Sequence, residues 1–246
     1  MVYSALAPIY DRVMSHVEYG EWVQLIRRVI DRHARLPTSS IFEIGAGTGV
    51  LGERLRTEGY EYIGSDLSYA MCREGRRRIP RYLCADGRAL PLKQRFDLVL
   101  FLYDGINYLG SRADYDTLFR QVHGVLRSEG LFLFDVTTEA NSRRYFSDFY
   151  DCEDFGDSAY IRHSYYDEIA GIQHNEFAVF HREPGTGLFR RSDEHHAQRV
   201  LPSTTIQAWV PEELFDIVGI WDGYGFRRHS RSSERIHFLL RARQAP

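Results

Sequence analysis

Glu43-Ile44-Gly45-Ala46-Gly47-Thr48-Gly49 sets a carboxylate two residues ahead of three alternating glycines. The apolar run Ile41-Phe42-Glu43-Ile44 reads as a short buried strand, and Val50 to about Glu58 reads as a helix. Glycines in such a turn permit positive φ and let a ligand approach the backbone without meeting a Cβ. The helix start offers free N–H groups. At the C-terminal edge of a parallel sheet this combination is a nucleotide-cofactor site. Gly47 to Gly52 also satisfies G-x-G-x-x-G, with Asp66 about twenty residues on, as in a dinucleotide fingerprint. The register opposes that reading. The first glycine after the strand is Gly45, and the fingerprint's last glycine would then fall on Val50. A pyrophosphate also gains nothing from the nearby carboxylate of Glu43.

Composition excludes other chemistries. Of the 31 basic residues only Lys93 is lysine, and Gln94 follows it, so there is no Walker-A lysine. Lys93 lies in a loop between Pro91 and Phe96, a poor place for a Schiff-base lysine. A net charge of −3 leaves no basic footprint for nucleic acid. No metal is expected: there is no H-E-x-x-H, and the adjacent His195 and His196 cannot both face one way on a strand. Cys72, Cys84 and Cys152 show no metal spacing, which suggests reduced thiols. The first residues lack a basic leader pattern, and no run of about 18 apolar residues occurs. These features predict a soluble, cytoplasmic protein with no membrane partner.

Several elements must position the glycine turn. Trp22, Leu25, Ile26, Val29, Ile30 and His33 share one face of a helix from Glu18 to His33. A shorter helix precedes it at Ala5 to Met14, with Pro8 near its start. Strands follow at Glu61–Ser65, Arg81–Cys84, Phe96–Leu102 and Gly130–Val136. Helices lie between them from Ser68 to Arg78 and from Tyr115 to Leu126. Continuously apolar strands alternating with helices predict an α/β fold with a parallel sheet covered on both faces. After Tyr145 three strands at Ala159–Asp167, Ile172–Arg182 and Leu188–Val200 read as an antiparallel meander. A helix from Pro211 to about Ile220 and final strands near Arg227–Arg231 and Arg235–Ala242 close the chain.

The string from Glu43 resembles motif I of class I S-adenosylmethionine-dependent methyltransferases. Other segments match that family in order: Gly64-Ser65-Asp66, Cys84-Ala85-Asp86-Gly87, Phe96 to Asp104, and Gly130 to Val136. The resemblance covers roughly residues 38–137 and implies a Rossmann-like seven-stranded sheet with S-adenosylmethionine as cofactor and S-adenosylhomocysteine as product. It implies cofactor contacts from Glu43, Gly45, Ala46, Gly47, Asp66, Leu67, Met71, Asp86, Gly87, Leu102 and Tyr103. Asp66 would hold the ribose hydroxyls, since two acceptor oxygens suit a vicinal diol. Asp86 would receive the adenine amino group. Asp97 lies at the wrong end of the sheet and reads as structural.

The loop Tyr103-Asp104-Gly105-Ile106-Asn107-Tyr108-Leu109 is similar to that of bacterial small-molecule methyltransferases with an antiparallel insert after strand five, sugar-amine N-methyltransferases among them. Tyr10-Asp11 followed by Tyr19 and Trp22 resembles the lid segment of that subgroup, and Asp193 to Arg199 a strand of its insert. The implied organisation is lid helices at 1–37, a core at 38–150 and 201–246, and an insert at 151–200 serving as acceptor cap or dimerisation surface. Tyr10, Tyr103 and His195 are the candidate catalytic residues, with Glu194 as an alternative proton acceptor. Each has a plain alternative as a packing residue, a pocket wall or a solvated strand residue. The acceptor is expected to be a small molecule methylated on N or O. An RNA or protein methyltransferase, suggested by paired arginines such as Arg143-Arg144, and a non-catalytic cofactor-binding protein are the competing readings. Ten Tyr or Phe residues between Tyr145 and Arg182 concentrate the aromatic content where an acceptor pocket or a dimer surface would be built.

Overall fold

The computed structural model describes residues 2–244. The chain opens with a 3-10 turn at Ala7–Ile9, Pro8 in its first turn, and one helical turn, α1 (Tyr10–Val13). The single helix expected at Ala5 to Met14 is therefore two short pieces. Leu6 and Ile9 are buried against Tyr160, Phe177 and Val179, and this burial outweighs helical continuity. Helix α2 (Tyr19–His33) buries Trp22, Leu25, Ile26 and Val29, the stripe its spacing predicts.

Strand and helix then alternate: β1 (Ser40–Ile44), α3 (Val50–Thr57), β2 (Glu61–Asp66), α4 (Tyr69–Gly75), β3 (Tyr82–Cys84), β4 (Phe96–Phe101), α5 (Arg112–Val125) and β5 (Leu126–Thr137). Local chemistry sets the helix starts. Gly49 takes a left-handed φ of +80° before α3, the Ser68 hydroxyl accepts the Met71 N–H, and Ser111 with Asp114 forms a capping box on α5. After α6 (Glu139–Tyr145) come β6 (Asp148–Asp154), β7 (Ser158–Asp167), β8 (Ile172–Arg182) and β9 (Phe189–Arg199), then α7 (Ser203–Trp209), β10 (Phe215–Asp222) and β11 (Arg235–Ala242).

Seven strands form one sheet in the order β10-β11-β5-β4-β1-β2-β3. Only β11 runs against its neighbours. Alternation along β4 and β5 divides the core. Val99, Phe101, Phe132 and Phe134 face α5, while Leu98, Leu100, Leu131 and Leu133 face α2. The expected Rossmann-like seven-stranded sheet flanked by helices is thus present, with a separate antiparallel sheet in the order β6-β7-β8-β9. No helix among the described residues is long and apolar enough to cross a membrane.

Three further expectations are corrected. The meander has four strands, not three. Asp148, Asp151, Glu153 and Asp154 mask the strand pattern of β6, a largely exposed edge whose pairing with β7 is visible only in three dimensions. The helix expected at Pro211 to Ile220 is strand β10, preceded by the short α7. Pairing with β11 and burial of Phe215 and Trp221 override the helical reading. The strand expected near Arg227–Arg231 is reduced to one isolated bridge, Asp222 to Arg227.

Asp97 brackets the end of the sheet away from the glycine turn. It accepts the N–H groups of Ser39 and Ser40, each at 2.9 Å, and pairs with Arg127 at 2.6 Å. Asp97→Ala leaves the Ser40 donors unsatisfied and is expected to reduce the unfolding free energy by about 1–3 kcal/mol in urea denaturation. An unchanged midpoint would show that the bracket contributes nothing.

Candidate active site

The C-terminal ends of β1, β2 and β4 and the loop after β3 open into one cleft of about 1020 Å³, including the part open to solvent. Gly45, Gly47, Asp66, Leu67, Met71, Asp86, Gly87, Leu102 and Tyr103 line it, with Tyr3, Tyr10 and Tyr108. Glu43 and Ala46 lie in an adjoining recess beneath Tyr10, Tyr19 and Trp22.

The glycine turn meets the cleft with bare backbone. A Cβ on Gly47, at φ +56°, would meet no atom within 4 Å. Asp66 ends β2. One of its oxygens accepts the Gly47 N–H at 3.0 Å and the other accepts the Ser68 N–H at 2.8 Å. Burial holds its carboxyl up at about 6 despite those bonds. Asp86 is bound by Arg88, whose guanidinium holds the carboxyl below its ordinary value.

The loop after β4 has an unusual backbone. Tyr103 and Asp104 both take left-handed φ, +61° and +51°, without being glycine. The wholly buried Asp135 at the end of β5 accepts the Tyr103 N–H at 2.6 Å and the Asp104 N–H at 3.0 Å. Arg235 at the start of β11 pairs with Asp135, reaches Asp104 at 2.8 Å, and lies 4.9 Å from the Tyr103 ring centroid. Burial pushes both carboxyls up, and Arg235 counteracts it. The Gln198 side-chain amide, from β9, donates to Asp104 at 2.5 Å.

The N-terminal segment lies across this cleft, secured on both sides. Asp11 accepts a hydrogen bond from the Thr48 hydroxyl and pairs with Arg78 at 2.7 Å, which ties α1 to the glycine turn. On the other side Arg12 pairs with Asp157 at 2.8 Å. Glu194 accepts the backbone N–H groups of Ala5 and Leu6. Tyr3 and Tyr10 are thereby held over the opening.

The comparisons with known proteins agree with this geometry. A family model described as a methyltransferase domain matches residues 41–130. YqeM of Bacillus subtilis, provisionally assigned as a methyltransferase, is 29% identical, with 97% of this chain and 96% of that protein covered. Residues 41–130 carry a methyltransferase domain, and the chain is similar to S-adenosylmethionine-dependent methyltransferases. Among solved structures, an S-adenosylmethionine-dependent methyltransferase from Clostridium acetobutylicum shares the fold with a TM-score of 0.82 at 23% identity, covering 99% of this chain and 100% of that one. A sugar N-methyltransferase from Streptoalloteichus does so with a TM-score of 0.77 at 19% identity, covering 96% and 93%.

The methyltransferase does not place His195 at its cleft. Strand alternation turns Glu194, His196 and Gln198 toward the core and His195 outward, where its Nε2 lies 2.8 Å from His174 Nδ1. Sequence reasoning also passed over Tyr3, Tyr108, His196, Asp135 and Arg235. Tyr108 and His196 stood inside segments already singled out, but Arg235 lies in a different part of the chain with no local motif.

Glu43 is buried and accepts a hydrogen bond from the Tyr62 hydroxyl, and burial holds its carboxyl up at about 7, above the ordinary 4.5. The folded methyltransferase therefore keeps a proton that the unfolded chain has already lost. Stability from this group is complete below pH 4.5 and falls away as pH rises toward about 7, by roughly 3 kcal/mol in all. Glu43→Gln should lose less stability than the parent between pH 5 and 8 in urea unfolding. Equal losses would refute the assignment of the proton to Glu43.

Proposed function

We propose that this methyltransferase transfers a methyl group to a nitrogen or oxygen of a small molecule. The N-terminal segment carries the reading. Secured to Thr48 and Arg78 on one side and to Glu194 and Asp157 on the other, it leaves a partly covered cleft walled by Tyr3, Tyr10, Tyr103 and Tyr108. Such a chamber suits a small acceptor. The inner face of the β6–β9 sheet serves as the acceptor cap, since Gln198 and Asn107 tie it to the loop after β4. A polymer reading is disfavoured because two of the arginine pairs are matched by carboxylates: Arg143 with Glu139 and Glu168, Arg144 with Glu234, Arg190 with Glu183, Arg191 with Asp193.

The residues fit the cofactor. Asp66 lies half-buried at the cleft wall with only backbone donors as partners among the described residues, so acceptor capacity remains for two ribose hydroxyls. Gly47 leaves open space where a Cβ would intrude. Met71, Leu67 and Asp86 would flank the adenine, and Gly45, Ala46 and Glu43 the amino-acid end. When bound, the cofactor supplies an electrophilic methyl on a sulfonium. The chain's own part is to place the acceptor in line, exclude water and accept a proton. Orientation alone is worth on the order of 7–11 kcal/mol in well-ordered cases.

Asp66→Ala is expected to weaken S-adenosylhomocysteine binding at least tenfold by calorimetry. Gly47→Val should abolish it in a protein that still unfolds cooperatively. Unchanged affinity in both variants would remove the glycine turn from the cofactor site. S-adenosylhomocysteine should raise the melting temperature, and NAD should not.

Incubation of the enzyme with methyl-labelled S-adenosylmethionine, a metabolite extract, RNA and protein tests the acceptor class. Label is expected in the small-molecule fraction. Label confined to RNA or protein would overturn the proposal.

A further inference from the structure

The Tyr3 and Tyr108 hydroxyls, both at the cleft, lie 2.8 Å apart, and Tyr108 Oη lies 3.0 Å from His196 Nδ1. His196 Nε2 lies 3.2 Å from Glu194 Oε2. His196 is 2% exposed and Glu194 7%. The chain of hydrogen bonds has one direction. Burial pushes the Glu194 carboxyl up, but the bonds from His196 and from the Ala5 and Leu6 N–H groups more than offset this and hold it below its ordinary value. An ionised carboxylate only accepts, so His196 Nε2 carries the hydrogen, and in the neutral ring Nδ1 presents a lone pair. Tyr108 must then donate to Nδ1, which leaves its oxygen free to accept from Tyr3 or from a molecule in the cleft.

We propose that Tyr108, His196 and Glu194 form a proton relay for the acceptor, with Tyr108 the catalytic residue that meets the acceptor and His196 and Glu194 positioning residues behind it. The inference rests on the small-molecule reading above. As the acceptor's lone pair forms its bond to the methyl carbon, the electron pair of the carbon–sulfur bond stays with sulfur. The acceptor's proton passes to the Tyr108 oxygen, and Tyr108's own proton passes to His196 Nδ1. The imidazolium so formed lies against the Glu194 carboxylate, as an imidazole does in a serine-hydrolase triad. Its proton leaves to water on product release. The same Glu194 holds the backbone of residues 5 and 6, so the relay is complete only when the N-terminal segment is seated. Tyr3, carried on that segment, then stands beside Tyr108 at the cleft.

Two readouts test the relay in the full chain. Nitrogen-15 NMR of histidine-labelled protein, with the His196 signal assigned by its loss in His196→Gln, should show the Nε2–H tautomer in the parent. This readout needs no acceptor. Tyr108→Phe should lower kcat by 10²–10⁴, measured with labelled S-adenosylmethionine and the metabolite extract, while the KM for the donor and the affinity for S-adenosylhomocysteine stay at parental values. Glu194→Gln should move His196 to the Nδ1–H tautomer and lower kcat similarly. An Nδ1–H tautomer in the parent, or a Tyr108→Phe enzyme within threefold of the parental kcat, overturns the relay. Failure of the small-molecule reading shows separately, as label absent from that fraction with the parent enzyme.

Discussion

A single buried carboxylate, Asp135, holds the backbone on which the cleft is built. Left-handed φ at an L-residue other than glycine costs roughly 1–2 kcal/mol, and Tyr103 and Asp104 take it in succession. Both amide N–H groups are turned onto the Asp135 carboxylate, which repays that strain. An unpaired carboxylate at that depth would itself be costly, and Arg235 removes the cost by bridging Asp135 and Asp104. Strand β11, which carries Arg235, is the strand that runs against its neighbours. The reversed strand therefore joins β5 to the edge strand β10 and also delivers the counter-charge to the site.

From this junction a polar network extends into the second sheet. Asp104 accepts from Gln198, whose amide oxygen accepts from Gln173, and Gln173 accepts from the Ser142 hydroxyl. An inner sheet face with buried Gln, Asn, Ser, His and Glu is expensive unless every group finds a partner. Here the partners come from the loop after β4, the N-terminal segment, α6 and the sheet itself, and those contacts hold the second sheet over the cleft. An apolar contact adds to it: Leu6 and Ile9 against Tyr160, Phe177 and Val179.

Much of the core was legible because its signals are local. Continuous burial on β1 and β4 reads directly as apolar runs, and the stripe of α2 reads as helical spacing. Glycine and acid positions at strand ends are likewise confined to a few residues each. Strand β6 was hidden by its acids, and β10 was mistaken for a helix because its pairing with β11 comes from a segment that follows it. His195 was chosen over His196 because a strand's facing is set by register, and a shift of one residue reverses every side chain.

The sequence by itself determined the α/β core, the glycine turn and the acids that end its strands, because each depends on residues adjacent along the chain. Tertiary structure decided which of two neighbouring histidines faces inward, which arginine neutralises Asp135, and that Asp11 and Glu194 secure the N-terminal segment. Those outcomes join residues 67, 100 and 189 positions apart. Electrostatic and hydrogen-bond partners are selected by distance in space, and only the completed packing of both sheets brings these groups within reach of one another.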